Sequence, residues 1–199
     1  VGKPLNLFDN NEKKYAKLAS VNCKAISEFN FKMLSSLTLI GTFLMVPVLF
    51  AAALNNLKTA VILAYLLTAT LFFALFLVFK LSFMKKYALG GLYICFSILF
   101  SLAIFLSVIN TPNMRATIIL GAFCITPLAF IDYPVRMNMF ITFWLIVHTV
   151  LAFCLKPQYA LDDTINSLCF AVLACFIGNI MVRGRLDGYE AHRLLIIEK

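Results

Sequence analysis

Long apolar runs with short polar connections make up most of the chain after residue 32. They are Met33–Leu54, Thr59–Phe79, Tyr87–Ile109, Ala116–Ile131, Met137–Leu155 and Thr164–Val182. A helix rises about 1.5 Å per residue, so about 20 residues cross a hydrocarbon core of about 30 Å. Five runs reach that length, and the fourth, which ends before Asp132-Tyr-Pro134, is short. The pattern predicts an all-α integral membrane protein with six transmembrane helices.

Residues 1–32 are the only substantial polar segment before the first run. From Asn11 onward, their apolar side chains recur at a spacing that fits one face of a helix, with five lysines interspersed. These apolar positions are Tyr15, Leu18, Ala19, Ala25, Ile26 and Phe29. The spacing predicts an amphipathic helix that lies on the anionic inner leaflet of the membrane. A solvated, partly disordered tail is the alternative.

Composition supports a membrane protein and decides its orientation. Hydrophobic residues make up 62% of the chain and charged residues 13%, whereas soluble domains hold about half and about a quarter. The net charge of +8 lies beside the apolar runs, so it does not indicate nucleic-acid binding. With six spans, all but Lys58, Arg115 and Lys156 of the 17 Lys and Arg residues fall on one side. The positive-inside rule then predicts that both termini are cytoplasmic.

Ionisable and polar side chains inside the runs are candidates for a ligand site. His148 is the only histidine within a run, and Trp144 precedes it by one helical turn. Pro47 and Pro127 should kink their helices, and such kinks either serve packing alone or open a pocket. Its polar lining would come from Tyr65, Tyr93 and Asn179. The alternative for His148 is a neutral imidazole bonded to Ser, Thr or Tyr of a neighbouring helix.

The connection after the fourth run is a candidate coupling element. Asp132 and Arg136 can pair across this turn, and Pro134 should end the fourth helix. The connection would then act as a hinge against the last helix, and an ordinary interfacial turn is the alternative.

The last run passes without a proline into the polar residues 183–199, which predicts one helix leaving the membrane. Small residues at Ser167, Ala171, Ala174 and Gly178 would let this helix approach its neighbours closely. Beyond the run, Val182, Leu186, Tyr189, Arg193 and Ile196 follow a similar rhythm. The two stripes are one residue out of phase near Gly184, and we expect Gly184 and Gly188 to absorb this slip or make the helix flexible.

Motifs for catalysis and cofactors are missing from the chain. It contains none of the phosphate-binding, dinucleotide-binding, nucleophile-elbow or zinc-protease motifs. A haem would need axial ligation, and the runs contain no second histidine. We therefore assign no catalytic residue, no metal ligand and no cofactor.

The C-terminal residues resemble a known linker. The segment Arg185-Leu-Asp-Gly-Tyr-Glu-Ala-His-Arg-Leu-Leu-Ile-Ile-Glu-Lys199, after six spans with short loops, resembles the helix that joins membrane region and catalytic domain in bacterial membrane-bound diguanylate cyclases of the GGDEF family. There the linker runs into a D-x-L-T-G-L-x-N-R-like start of the cyclase domain, and this chain stops about where that start would lie.

The resemblance implies a sensory module of the bacterial inner membrane that works as a homodimer and controls c-di-GMP synthesis. Its parts would be a cytoplasmic segment (1–32), a six-helix membrane domain (33–182) and a cytoplasmic linker helix (183–199). A hydrophobic or lipid-like ligand between the helices is the expected stimulus. A small transporter or channel complete in itself, or a plain membrane anchor, is the alternative.

Overall fold

The computed structural model describes residues 14–197, without the side chains of 82–84 and 196–197. Helix α1 covers residues 14–21 and leads through a turn at Asn22 into α2. The elements that follow are α2 (Cys23–Leu54), α3 (Thr59–Lys80), a 3-10 turn (Ser82–Tyr87), α4 (Ala88–Ile104), a π-helical turn (Phe105–Ile109), α5 (Ile118–Ala129), α6 (Pro134–Leu155) and α7 (Ala160–Ile197). Helices α2, α3, α6 and α7 are long and apolar enough to cross a membrane, and so is α4 together with its flanking turns, over Lys85–Ile109.

Helix α4 lies at the centre of the bundle and packs against α2, α3 and α5, while α7 packs against α5 and α6. The core around α4 is aromatic, with fully buried Phe96, Phe100 and Phe123. By contrast, the outward faces of α2 and α3 expose large apolar side chains, including Phe43 and Leu67. Exposed apolar surface on this scale indicates contact with lipid.

Helix α5 is the element that differs most from the sequence prediction. The run of residues 116–131 is helical only over 12 residues, which rise about 18 Å and fall short of the hydrocarbon core. Phe130 is extended, and residues 130–133 form no helix. The prediction that Pro134 ends the preceding helix is wrong, because Pro134 is the first residue of α6. Proline fits there since the first helical N–H lacks a partner in any case.

Helix α7 is one continuous helix of 38 residues, as the missing proline predicts. At about 1.5 Å per residue it is about 57 Å long. The predicted small-residue stripe is buried, and Gly178 packs against Met137 and Pro127. Val182 and Leu186 are buried as well, so the buried face continues past the predicted slip without a break in the helix, whereas Arg193 of the second stripe is exposed.

The bundle has two ends that differ in the elements they carry. We call the end with residues 14–21 and 183–197 the terminal face, since Tyr15 and Asp187 are hydrogen-bonded there. The end with the connections 110–117 and 156–159 is the far face, where Gln158 bonds Asn113.

Candidate functional site

A cavity of about 620 Å³ lies at the terminal face, and we call it the terminal cavity. It is enclosed by α1, the start of α2, the connection into α6, and α7. Its volume is typical of small-molecule pockets in proteins. Apolar walls come from Leu89, Val182 and Leu186. The charged side chains that line it are Lys86, Asp132, Arg136 and Arg183.

Asp132 is the anchor of the connection between α5 and α6. Its side chain is 2% exposed and forms an ion pair with Arg136 at 3.2 Å, which confirms the predicted pairing. The Tyr93 hydroxyl donates a hydrogen bond of 2.6 Å to the other carboxylate oxygen. Charge-assisted hydrogen bonds of this kind stabilise a buried carboxylate. The contact ties the centre of the bundle, through α4, to the wall of the terminal cavity.

Asn30 of α2 holds the non-helical segment after α5. Its side-chain amide donates to the carbonyl of Ile131 at 2.8 Å and accepts from the same residue's N–H at 2.9 Å. Both residues are buried, and a buried backbone unit outside a helix needs such partners. Asn30 was not among the residues predicted from the sequence. The available signal was an amide side chain three positions before the first apolar run.

Arg185 of α7 bonds the C-terminal end of α5. Its guanidinium donates to the carbonyl of Leu128 at 2.8 Å and lies 4.7 Å from the ring centroid of Phe29. A cation beside the last carbonyls of a helix also complements the helix dipole. Arg185 therefore links the predicted linker region of α7 to α5 and α2, a contact that the sequence analysis did not foresee.

Helix α1 docks on α7 through Asp187. The Tyr15 hydroxyl donates to Asp187 at 3.1 Å, and Lys14 forms an ion pair with it at 3.3 Å. The hydrogen bond and the charge of Asp187 raise the pKa of Lys14 above its usual value. The Arg183 guanidinium lies 5.5 Å from the Tyr15 ring centroid. Contact with the inner leaflet stays a prediction for α1, whereas its contact with α7 is observed.

A second polar cluster lies at the far face, where the hydrophobic pattern predicts only a short polar connection outside the membrane. Lys156 and Asp163 form an ion pair at 2.8 Å, and both side chains are 0% exposed. The Lys156 ammonium also donates to the carbonyl of Ser107 at 3.0 Å. Asp163 accepts from the N–H of Ala116 at 2.9 Å. This pair was missed because α7 begins at Ala160 and carries Asp163 into the bundle within its first turn.

His148 is fully buried on α6, and its ring nitrogens have no hydrogen-bond partner among the described residues. The contact between Gly178 and Met137 gives the antiparallel register of α6 and α7. Counting eleven residues along each helix from that contact places His148 of α6 level with Ser167 of α7. Trp144 stacks on Phe100, with ring centroids 5.4 Å apart.

The five ligand candidates from the sequence therefore do not converge on one pocket. Asn179 lines the terminal cavity, and Tyr93 reaches Asp132 at its wall. His148 and Trp144 lie deeper on α6, and Tyr65 on α3 does not line the cavity. Among the described residues, no group of three or more His, Cys, Asp or Glu side chains is arranged to hold a metal ion.

The coupling candidates lie around the terminal cavity or just beyond it. Asp132, Arg136 and Leu186 line the cavity, and Tyr189 packs against the core that includes Leu186. A Cβ atom added at Gly184 or Gly188 would have no neighbour within 4 Å among the described atoms. Both glycines therefore lie on the open side of α7, and their role in coupling stays a prediction.

Comparison of the chain with protein-family models, curated proteins and solved structures found no match.

Proposed function

We propose that this chain is a membrane sensory module that passes a change in helix packing through α7 to a cytoplasmic output domain. The observation that carries the proposal is the continuity of α7 from Ala160 to Ile197. One end of this helix holds Asp163 in the buried ion pair, and the other carries Arg185 and Asp187, which bond α5 and α1. An uninterrupted helix moves as one body, so a shift at either face reaches the other.

In this proposal the terminal face is cytoplasmic and the chain crosses a bacterial inner membrane six times. The contact between Tyr15 and Asp187 supports termini on one side. Asp163 accepts a hydrogen bond from the N–H of Ala116, and Arg185 donates one to the carbonyl of Leu128, so both ends of the α5 region are joined to α7. The two α7 residues are 22 positions apart, which is about 33 Å along a helix. Helix α5 itself rises only about 18 Å, so the sixth crossing in this proposal also uses the non-helical flanks at 115–117 and 130–133.

The output we propose is diguanylate cyclase activity, on the resemblance of residues 185–199 to GGDEF-family linkers. That family joins two GTP-loaded domains, so the module would act as a homodimer in which α7 sets their arrangement. The stimulus would be a hydrophobic or lipid-like ligand in the terminal cavity. Because α1, the connection from α5 into the start of α6, and α7 all line this cavity, a ligand that fits one packing better shifts the population towards it.

A change in the rotational phase of α7 tests this mechanism. One alanine inserted after Gly184 in the full-length protein rotates everything beyond it by about 100°, whereas seven inserted alanines nearly restore the phase. We expect the single insertion to change c-di-GMP production in membranes by several-fold and the seven-residue insertion to stay near wild type. Equal output from both insertions would show that helix phase carries no signal.

A transporter or channel is the second candidate, because His148 is buried with no hydrogen-bond partner within residues 14–197 and a buried ion pair lies at the far face. The packed rings of Phe100, Phe123 and Trp144 occupy the core between this region and the terminal cavity, which weakens the candidate. Solute or proton flux into proteoliposomes that contain the chain alone would favour transport over sensing.

A further inference from the structure

The terminal cavity adjoins a shallow groove on the outer surface of α6. The two share Val135 and Asn138 in their walls. The groove is lined by Val135, Asn138, Met139, Thr142, Phe143 and Ile146. Its four apolar residues are all more than half exposed. From Val135 to Ile146 the helix rises about 16 Å, so the groove follows the direction in which an acyl chain lies in a bilayer.

The charges around the terminal cavity favour an anion. Its lining carries three cations and one carboxylate, and that carboxylate, Asp132, already bonds Tyr93 and Arg136. Lys86 and Arg183 form no ion pair within residues 14–197. Guanidinium and ammonium groups at a wall of this kind are suited to bind phosphate.

We propose that the terminal cavity and the α6 groove together bind one anionic phospholipid. The headgroup phosphate lies between Lys86, Arg136 and Arg183, and an acyl chain lies along Val135, Met139 and Phe143. A soluble anion would match the cations but would leave the apolar groove empty. An uncharged lipid would fill the groove but would leave Lys86 and Arg183 without an anionic partner. Only a charged amphiphile satisfies both parts.

Such a lipid would contact the elements that meet at α7. Arg183 belongs to α7, Arg136 belongs to the start of α6, and Tyr15 of α1 lines the same cavity. A bound headgroup would therefore contact both α6 and α7 and would also lie against α1. The inference names a ligand class for the proposed sensory function, and it rests on that function only for the step from binding to output.

Native mass spectrometry of the full chain in detergent tests the lipid directly. Dioleoyl phosphatidylglycerol and dioleoyl phosphatidylcholine have the same acyl chains and differ in headgroup charge. We expect the wild-type protein to retain one phosphatidylglycerol molecule at lipid concentrations at which phosphatidylcholine no longer stays bound. Equal retention of the two lipids would overturn the proposal. Displacement of the lipid by millimolar inorganic phosphate would also overturn it, because the site would then be one for a soluble anion.

Variants locate the two parts of the site. Arg136→Gln and Arg183→Gln should each lower phosphatidylglycerol affinity about fivefold, which is the usual effect of one cation at an anionic surface. Lys17→Gln removes an exposed charge from α1 outside the cavity lining and serves as the control. An equal loss in the control would mean that only the general positive charge attracts lipid.

The groove has its own pair of variants. Met139→Trp should fill the groove and lower phosphatidylglycerol retention, whereas Leu67→Trp places the same ring on the exposed surface of α3 and should not. Equal retention in both would overturn the acyl-chain assignment. These binding results do not depend on cyclase output. Loss of lipid binding therefore rejects the ligand, and the insertions after Gly184 separately test transmission.

Discussion

Neutralising either member of the Lys156–Asp163 ion pair should destabilise the bundle strongly. Both side chains are fully buried, so each variant leaves the other charge without a partner and away from water. Removal of one member of a buried pair costs about 3–5 kcal/mol. We therefore expect Lys156→Met and Asp163→Asn each to lower the free energy of unfolding by that amount. Asparagine keeps an acceptor for the N–H of Ala116, which limits its effect to the lost charge.

The double variant should be much less damaging than the sum of the single variants. It contains no uncompensated buried charge, and a neutral replacement of a buried pair is often tolerated. What remains lost is the hydrogen bond from Lys156 to the carbonyl of Ser107, which is worth about 1 kcal/mol. With single losses of at least about 3 kcal/mol each and a double loss of about 1 kcal/mol, the coupling energy between the two positions should be about 5 kcal/mol or more.

Unfolding by sodium dodecyl sulfate in mixed micelles, followed by circular dichroism, measures these differences. The matched control is the neighbouring pair Arg115–Asp162, with a distance of 3.1 Å and both side chains more than half exposed. Exposed pairs contribute about 0.2–1 kcal/mol. If the double-mutant cycle of Lys156 and Asp163 gives a coupling energy as small as that of this control, the pair is solvated in the membrane and the reasoning from burial is wrong.

Three further predictions concern contacts that hold the terminal face and α7. Asn30→Ala removes both hydrogen bonds to a buried backbone unit and should lower the free energy of unfolding by about 2–4 kcal/mol in the same assay, whereas an unchanged midpoint would mean that water replaces the amide. Tyr93→Phe deletes only the hydroxyl that bonds Asp132 and should lower the free energy of unfolding by about 1.5–3 kcal/mol. A decrease of less than about 0.5 kcal/mol would contradict a strong charge-assisted hydrogen bond. Gly178→Leu must displace packed side chains and should lower the melting temperature, while Gly121→Leu has open space and should not.

The helical content and the apolar, membrane-like character of the helices could be predicted from the chain alone. Apolar runs of about 20 residues admit few structures other than helices, because backbone polar groups must be satisfied within the segment. The same logic predicted that α7 continues past Val182, since nothing at the join interrupts its hydrogen bonds. The pairing of Asp132 with Arg136 was also accessible, because the two residues are four positions apart.

The run at 116–131 shows where this logic stops. Its composition resembles that of the other runs, yet only residues 118–129 are helical. The difference depends on side chains that are distant in sequence, since Asn30, Asp163 and Arg185 bond the backbone at its two ends. Without those partners the non-helical backbone would be too costly in an apolar environment. Hydropathy does not contain that information.

The amino-acid sequence by itself determined that this protein is helical, apolar and charged mainly on one predicted side of a membrane, because these properties depend on neighbouring residues. Only the tertiary structure decided which polar residues are buried and what they bond. Lys156 and Asp163 appear in the sequence as residues of a polar connection, and packing converts them into a buried pair. The terminal cavity likewise exists only because α1, the connection from α5 into the start of α6, and α7 meet there. The energy of a charge depends on its surroundings, and those surroundings are assembled from distant parts of the chain.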